Sequence, residues 1–206
     1  MNDLTARLTE WIDAAPAWAV YVIACGAVYL ETAVAVIGLV APSEAILVAA
    51  GVVAAIGRPS IVVLVVSCAV AALVGDVTGY WLGRLTGPRF SRSGFGRRVA
   101  RHAHRTGYRP PEAGDAVVAI VSARWVGYIR SITPLVAGSR AMPFHRYAIA
   151  TAIGGTTWTA TILLVSYGVG ATLGARVALI VGLSVALLAF CYLIFRRVRA
   201  RRRAKA

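Results

Sequence analysis

The sequence predicts an all-α polytopic membrane protein, with two opposed re-entrant hairpins in an inverted repeat and about three full transmembrane helices. Of its 206 residues, 59% are hydrophobic, whereas a soluble domain averages about 45–50%. The apolar residues fall in runs close to the roughly 20 residues that cross a bilayer, and two of these runs are interrupted. The runs cover residues 18–40, 61–83, 116–138, 147–174 and 177–195.

The first element is an interrupted block at the N-terminal end. Residues 1–16 place apolar side chains at helical spacing and predict an interfacial amphipathic segment. Residues 17–56 then carry Pro42 within an apolar stretch. Because proline removes a backbone donor and disfavours helix in the residue before it, this block is predicted to enter the membrane and return. Such a break is tolerated at membrane depth where protein or a water-filled cavity covers the backbone.

The next element is a predicted full span over residues 61–83, followed by a basic loop over residues 84–115. Gly75, Gly79 and Gly83 lie four residues apart, so they share one helix face on which another helix can approach closely. Helix packing alone does not explain Asp76, an acid inside the same apolar run.

A second interrupted block covers residues 116–140. It contains Gly127 and Pro134 as predicted helix breakers, together with Arg124 and Arg130. A span over residues 144–174 follows, and residues 176–206 are predicted to form a last transmembrane helix and a basic tail. Broken segments at matching positions of two halves are the sequence pointer to a midplane binding site in transporters. Residues 17–175 are therefore predicted to form one membrane domain.

The distribution of positive charge predicts the topology. The net charge is +14, and the arginines cluster in residues 84–109 and in the tail, each directly after an apolar run. The positive-inside rule places both clusters in the cytoplasm, which requires residues 116–140 to enter and return. We therefore expect a multi-pass protein of the inner (plasma) membrane with an external N-terminus. The clusters favour anionic lipid headgroups as partners and not nucleic acid, since they lack interleaved aromatic residues.

Five ionisable residues lie within the apolar blocks: Glu31, Glu44, Asp76, Arg124 and Arg130. Each costs about 2.5–3.5 kcal/mol at the centre of a membrane helix on insertion scales. One interpretation is mutual neutralisation, in which the acids and arginines form a buried network that only holds the fold. The other is function, which is the better default because buried ion pairs are weak evidence of added stability.

The functional interpretation assigns these residues to two roles. Arg124 and Arg130 could bind a phosphate group through their planar guanidinium groups. Residues six apart diverge on a regular helix, so the arginines converge only if the helix breaks, as Gly127 permits. Glu31, Glu44 and Asp76 are the candidate proton-coupling residues, because a carboxyl group in apolar surroundings takes up a proton more readily than one in water.

The sequence indicates no cofactor and no metal site. Cys25, Cys68 and Cys191 lie in apolar runs without paired spacing and are interpreted as small buried hydrophobic residues. His102 and His104 are two residues apart, so they would point to different faces of a helix.

In combination, four motifs resemble the DedA family of membrane proteins, which share a VTT domain. The resemblance covers about residues 20–175. Its motifs are Glu31 ahead of Pro42-Ser43-Glu44, the Gly-Asp-x-x-Gly-Tyr-x-x-Gly-Arg sequence at 75–84, Arg124 and Arg130 followed by Pro134 and Ala137-Gly138, and Trp158 with Tyr167-Gly168. Two positions depart from the family pattern: Gly127 stands where members often have proline, and Glu44 where many have aspartate.

The resemblance implies two re-entrant loops that face each other. It also implies proton-dependent transport of lipid carriers, notably undecaprenyl phosphate, or lipid scrambling. The essential acids of the family would correspond to Glu31 and Glu44, and its essential arginines to Arg124 and Arg130.

Several alternatives to a lipid-phosphate flippase stay open at this point. A general phospholipid scramblase or a small-ion transporter would also use charges at membrane depth. A lipid-phosphate phosphatase belongs to another class, and we do not expect an enzyme because the three histidines fall in or near basic segments. Homo-oligomerisation is left open.

Overall fold

The computed structural model describes residues 16–34, 43–55, 59–92, 94 and 116–172, and the regular structure in these ranges is entirely helical. The predicted all-α class is therefore confirmed for this part of the chain. Residues 1–15 of the predicted N-terminal segment, Pro42 and the last predicted transmembrane helix lie outside it. The helices are α1 (Ala17–Ala33), α2 (Glu44–Ala55), α3 (Ile61–Arg92), α4 (Ala116–Ala123), α5 (Gly127–Ser139) and α6 (Phe144–Thr172).

Two of the described helices are long and apolar enough to cross a membrane: Ile61–Gly87 within α3, and α6. On α3, Val62, Val66, Val70 and Val74 follow one another at four-residue spacing and are each at least half exposed. Residues four apart lie on one face of a helix, so α3 presents a continuous apolar stripe outward. A stripe of this kind is stable in contact with lipid and unfavourable in water.

Helix α3 is longer than the sequence predicts. It continues past Gly83 to Arg92, so the first residues of the predicted basic loop 84–115 are helical. The helix is interrupted at Gly87, whose backbone angles (φ 12°, ψ −100°) are not helical.

Both interrupted blocks are divided into two helices. In the first block, α1 ends at Ala33, Val34 is extended and α2 begins at Glu44. In the second block, a turn over residues 124–126 separates α4 from α5. This break precedes the predicted breaker Gly127, which begins α5.

The other predicted breaker, Pro134, lies inside α5 and does not end it. Proline fits helical φ angles but cannot donate to the carbonyl oxygen four residues earlier. The carbonyl of Arg130 therefore lacks its usual intrahelical donor.

Helix α3 packs extensively against α1 and α5. The glycine stripe predicted from the sequence lies at these contacts. A Cβ atom at Gly75 would lie 2.8 Å from the backbone oxygen of Tyr29 on α1, and one at Gly79 would lie 2.9 Å from the Cβ of Pro134 on α5. Glycine therefore permits the close approach of these backbones, as small residues do at helix interfaces in membranes.

Two apolar clusters complete the packing. The larger one joins α1, α2, α3 and α6 through mostly small side chains and includes Leu47, Trp158 and Leu163. The smaller one joins α3, α4 and α6, with the rings of Tyr80 and Tyr147 stacked at 5.0 Å between centroids. Helix α6 contributes to both clusters and therefore lies beside both interrupted blocks.

Candidate functional site

The five ionisable residues selected from the sequence form two clusters of ion pairs. Four of them are buried in the protein: Glu31, Asp76, Arg124 and Arg130 are at most 3% exposed. The side chain of Glu44 is 36% exposed. We call the first group the Arg130 cluster (Arg130, Glu31, Glu44) and the second the Arg124 cluster (Arg124, Asp76, Thr151).

The Arg130 cluster forms where three helix ends meet. Glu31 lies in the last turn of α1, Glu44 is the first residue of α2 and Arg130 lies in the first turn of α5. The Nη2 atom of Arg130 donates to Oε1 of Glu31 and, at 2.6 Å, to Oε1 of Glu44. One nitrogen of the arginine therefore serves both carboxylates.

The backbone at the start of α2 also holds Glu31. The amide of Ser43 donates to Oε2 of Glu31 at 2.8 Å. Amides at the beginning of a helix have no intrahelical acceptor and carry a partial positive charge, so the carboxylate of Glu31 lies between two positive partners. This contact connects the two halves of the first interrupted block.

A third partner approaches Arg130 from α6. The guanidinium carbon of Arg130 lies 3.9 Å from the ring centroid of Trp158, within the range of a cation–π interaction. Trp158 is 5% exposed and belongs to the larger apolar cluster.

The Arg124 cluster connects the turn between α4 and α5 with α3 and α6. The Nη1 atom of Arg124 donates to Oδ1 of Asp76 at 2.8 Å, and Nη2 pairs with Oδ2. The hydroxyl of Thr151 donates to the same Oδ2, and the hydroxyl of Tyr147 donates to the backbone oxygen of Asp76 at 3.3 Å. Asp76 is thus bound on both carboxylate oxygens.

Two glycines of α6 make room for the Arg124 side chain. A Cβ atom at Gly154 would lie 2.9 Å from Cγ of Arg124, and one at Gly155 would lie 3.0 Å from its Nη2. Thr151, Gly154 and Gly155 follow the i, i+3, i+4 spacing of one helix face. These three residues are not among the sites predicted from the sequence, and their spacing is the signal from which they could have been found.

This arrangement differs from the single two-arginine clamp that the sequence suggested. Each arginine is engaged by acids from other parts of the chain: Arg124 by Asp76, and Arg130 by Glu31 and Glu44. The separation follows from the position of the break. Arg124 stands in the turn and Arg130 in the helix that begins after it, so the two side chains belong to different local structures.

The formal charges of the two clusters differ. With all groups ionised, the Arg124 cluster contains one cation and one anion, whereas the Arg130 cluster contains one cation and two anions. One proton would therefore neutralise the Arg130 cluster. Among the described residues, neither the Nε donor of Arg130 nor that of Arg124 has a hydrogen-bond partner, so each arginine keeps hydrogen-bonding capacity.

Within the described ranges, three or more His, Cys, Asp or Glu side chains do not come together as metal ligands would.

Comparison with known proteins identifies relatives among membrane proteins. The VTT domain family matches residues 41–168. An uncharacterized membrane protein of Mycobacterium leprae (strain TN) is 30% identical over 129 residues, which cover 63% of this chain and 58% of the relative. Protein DedA of Escherichia coli (strain K12) is 29% identical over 170 residues, 80% of this chain and 73% of that protein.

An uncharacterized membrane protein of Mycobacterium tuberculosis (strain ATCC 25618 / H37Rv) is 28% identical over 131 residues, 63% of this chain and 57% of the relative. The matches thus span less than two thirds of the length of the mycobacterial relatives. No solved structure matches the chain. The family match contains Glu44, Asp76, Arg124 and Arg130, while Glu31 precedes it. The family match and the named relatives place this chain in the DedA family of VTT-domain membrane proteins.

Proposed function

We propose that this protein is a proton-coupled transporter of lipid phosphates, with undecaprenyl phosphate as the favoured cargo. The observation that carries the proposal is the Arg130 cluster, in which one buried guanidinium is shared by two carboxylates through a single nitrogen. Such a cluster has an excess negative charge that one proton removes. The membership of this chain in the DedA family supports a transport function without indicating the cargo.

The proposed cycle begins with the arginine held by its acids. Glu44 is the more accessible of the two carboxyl groups, and we assign it as the group that takes up the proton. A protonated carboxyl no longer competes as an anion for Arg130. The guanidinium can then form charge-assisted hydrogen bonds with a phosphate oxygen, and loss of the proton returns Arg130 to Glu44 and releases the lipid.

Arg124 has a different part in this proposal. Its charge is matched one to one by Asp76, which also accepts from Thr151. Separation of such a buried pair leaves an uncompensated charge and is strongly unfavourable, so Arg124 needs another counter-ion before it can leave Asp76. We assign Arg124 as a second phosphate ligand that becomes available after the lipid phosphate has entered beside Arg130.

The two interrupted blocks would form the path of the headgroup. We propose that residues 17–56 and 116–140 are re-entrant hairpins from opposite faces, so that the basic loop and the tail are both cytoplasmic. Single cysteines at Ser93 and Ala204 in a cysteine-free background should label from the cytoplasmic face of inside-out vesicles. Labelling from opposite faces would contradict the hairpin topology.

The transport proposal is tested in liposomes containing the purified protein. We expect undecaprenyl phosphate to change leaflets faster than in protein-free liposomes, and an imposed proton gradient to increase the net movement. Arg130→Lys keeps the charge but loses the planar fork, so it should reduce transport about ten- to a hundred-fold, the effect of losing one charge-assisted hydrogen bond.

The same preparation separates the alternatives. Equal movement of phosphatidylcholine and undecaprenyl phosphate would support a scramblase, and a proton-dependent ion current without lipid movement would support a small-ion transporter. Release of inorganic phosphate would support a phosphatase. Any of these three results would contradict the proposed function.

A further inference from the structure

The guanidinium of Arg130 meets two different kinds of partner. Its Nη2 atom donates to Glu31 and Glu44, and its central carbon lies over the indole ring of Trp158, 3.9 Å from the ring centroid. The hydrogen bonds use the N–H groups of Nη2, whereas the cation–π attraction acts between the positive charge of the guanidinium and the face of the aromatic ring. The two interactions therefore do not compete.

We infer that Trp158 is a positioning residue that holds the Arg130 cation against its indole ring while the N–H donors of Arg130 pass from the carboxylates to a lipid phosphate. This inference rests on the proposed function and deepens it. The need arises because protonation of a carboxyl group leaves a buried cation with one partner fewer, which is costly in apolar surroundings. The indole contact is therefore worth most in the state in which Arg130 has lost a carboxylate partner, because a cation–π interaction strengthens when the cation is desolvated.

The surroundings of Trp158 suit it to hold a fixed orientation. It is 5% exposed and packs on α6 within the larger apolar cluster, which also contains Leu47 of α2 and Leu163 of α6. Because Leu47 and Glu44 belong to the same short helix, the cluster that holds the indole also holds the backbone of a carboxylate partner. The ring can therefore set the direction of Arg130 relative to Glu44.

A purely space-filling role for Trp158 makes a different forecast. Packing depends on the volume and shape of the ring, whereas a cation–π interaction depends on the electron density of its face. Stepwise fluorination of the indole withdraws electron density with little change of shape. Trp158 should therefore be replaced by tryptophan analogues with one to four fluorine atoms.

The first measurement is the concentration dependence of undecaprenyl phosphate transport by these variants in liposomes. We expect the apparent affinity to fall progressively with fluorination, by a total of roughly two- to thirty-fold, the range of cation–π interactions at exposed to desolvated sites. The same analogues at Trp81 are the matched control, since that ring is 46% exposed on α3 and packs against Tyr80 and Phe144. The control series should leave the affinity unchanged.

The second measurement is thermal stability, which does not depend on transport. Fluorination of Trp158 should lower the melting temperature of the protein with Arg130 and should have no effect in an Arg130→Gln background. If the wild-type protein moves no lipid phosphate, the proposed function fails. The melting temperatures of the fluorinated variants, with Arg130 and with Arg130→Gln, still decide whether Trp158 holds Arg130. A flat fluorination series in both measurements, with Trp158→Leu nevertheless impaired, would overturn the inference and leave only a packing role.

Discussion

Removal of one charge from the Arg124 cluster should destabilise the protein, and removal of both should cost less than the sum of the two single removals. Asp76 is fully buried and Arg124 is 3% exposed, so Arg124→Gln leaves a buried carboxylate without its cation, and Asp76→Asn leaves a buried cation without its anion. Breaking a buried pair in this way costs about 3–5 kcal/mol. Because Thr151 still donates to Asp76, we expect Arg124→Gln to fall near 3 kcal/mol.

The double variant Asp76→Asn with Arg124→Gln contains neither charge. It should be more stable than the sum of the two single effects by about 2–3 kcal/mol, the size expected for groups in direct contact. Free energies of unfolding can be measured by denaturation with sodium dodecyl sulfate in mixed micelles. Transport by the double variant then separates two roles for Arg124. Near-normal transport would show that it only neutralises Asp76, whereas loss of transport from a stable protein supports a phosphate ligand.

The matched control combines Glu31→Gln with Arg124→Gln, which removes one charge from each cluster. Glu31 pairs with Arg130, whereas Arg124 pairs with Asp76, so the coupling energy between these two changes should be much smaller than that between Asp76 and Arg124. A large coupling in this mismatched pair, together with simple additivity for Asp76 and Arg124, would refute the division into two clusters.

Three further predictions address the accessible acid, the helix contact and the packing of α1 on α3. Glu44→Gln should remove the dependence of transport on the proton gradient. The protein should stay folded, because the side chain of Glu44 is 36% exposed and the pair between Arg130 and Glu31 remains. Gradient-dependent transport by this variant would contradict the assignment of Glu44 as the proton acceptor. Gly75→Ala should lower the free energy of unfolding by about 1–3 kcal/mol, because the added Cβ overpacks the contact with α1. At Gly168 a Cβ atom meets nothing within 4 Å, so Gly168→Ala should be neutral or stabilising. Denaturation of both variants measures the two effects. Mild oxidation of a Cys191→Ser variant should form a disulfide between Cys25 and Cys68, whose sulfur atoms are 3.8 Å apart. If peptide mass spectrometry of the denatured, oxidised protein finds no such disulfide, the packing of α1 on α3 is contradicted.

The sequence predicted several features of the fold that the structure bears out. Apolar composition and run length indicated helices long enough to cross a bilayer, and two such helices are present among the described residues. The four-residue spacing of Gly75, Gly79 and Gly83 indicated close helix packing, and these glycines lie against α1 and α5. These features follow from local sequence, because hydropathy reports the solvent that a residue faces and periodicity reports the face on which it lies.

The positions of the breaks were predicted less well. Gly127 begins α5 and Pro134 lies within it, so neither residue marks the turn at 124–126. Glycine and proline permit a break without requiring one, since a proline with helical φ angles loses one hydrogen bond and tertiary packing can compensate for it.

The sequence by itself determined which five charges lie within apolar segments, because a charged side chain is recognisable against an apolar background. Only the tertiary structure decided how they pair. Asp76 and Arg124 are 48 positions apart, and Arg130 is 99 positions from Glu31 and 86 from Glu44. Trp158 and Thr151 became part of the two clusters only through the approach of α6. Periodicity describes the faces of a single helix, whereas contacts at these separations depend on which helices pack together, and that depends on side-chain shape at every interface of the fold.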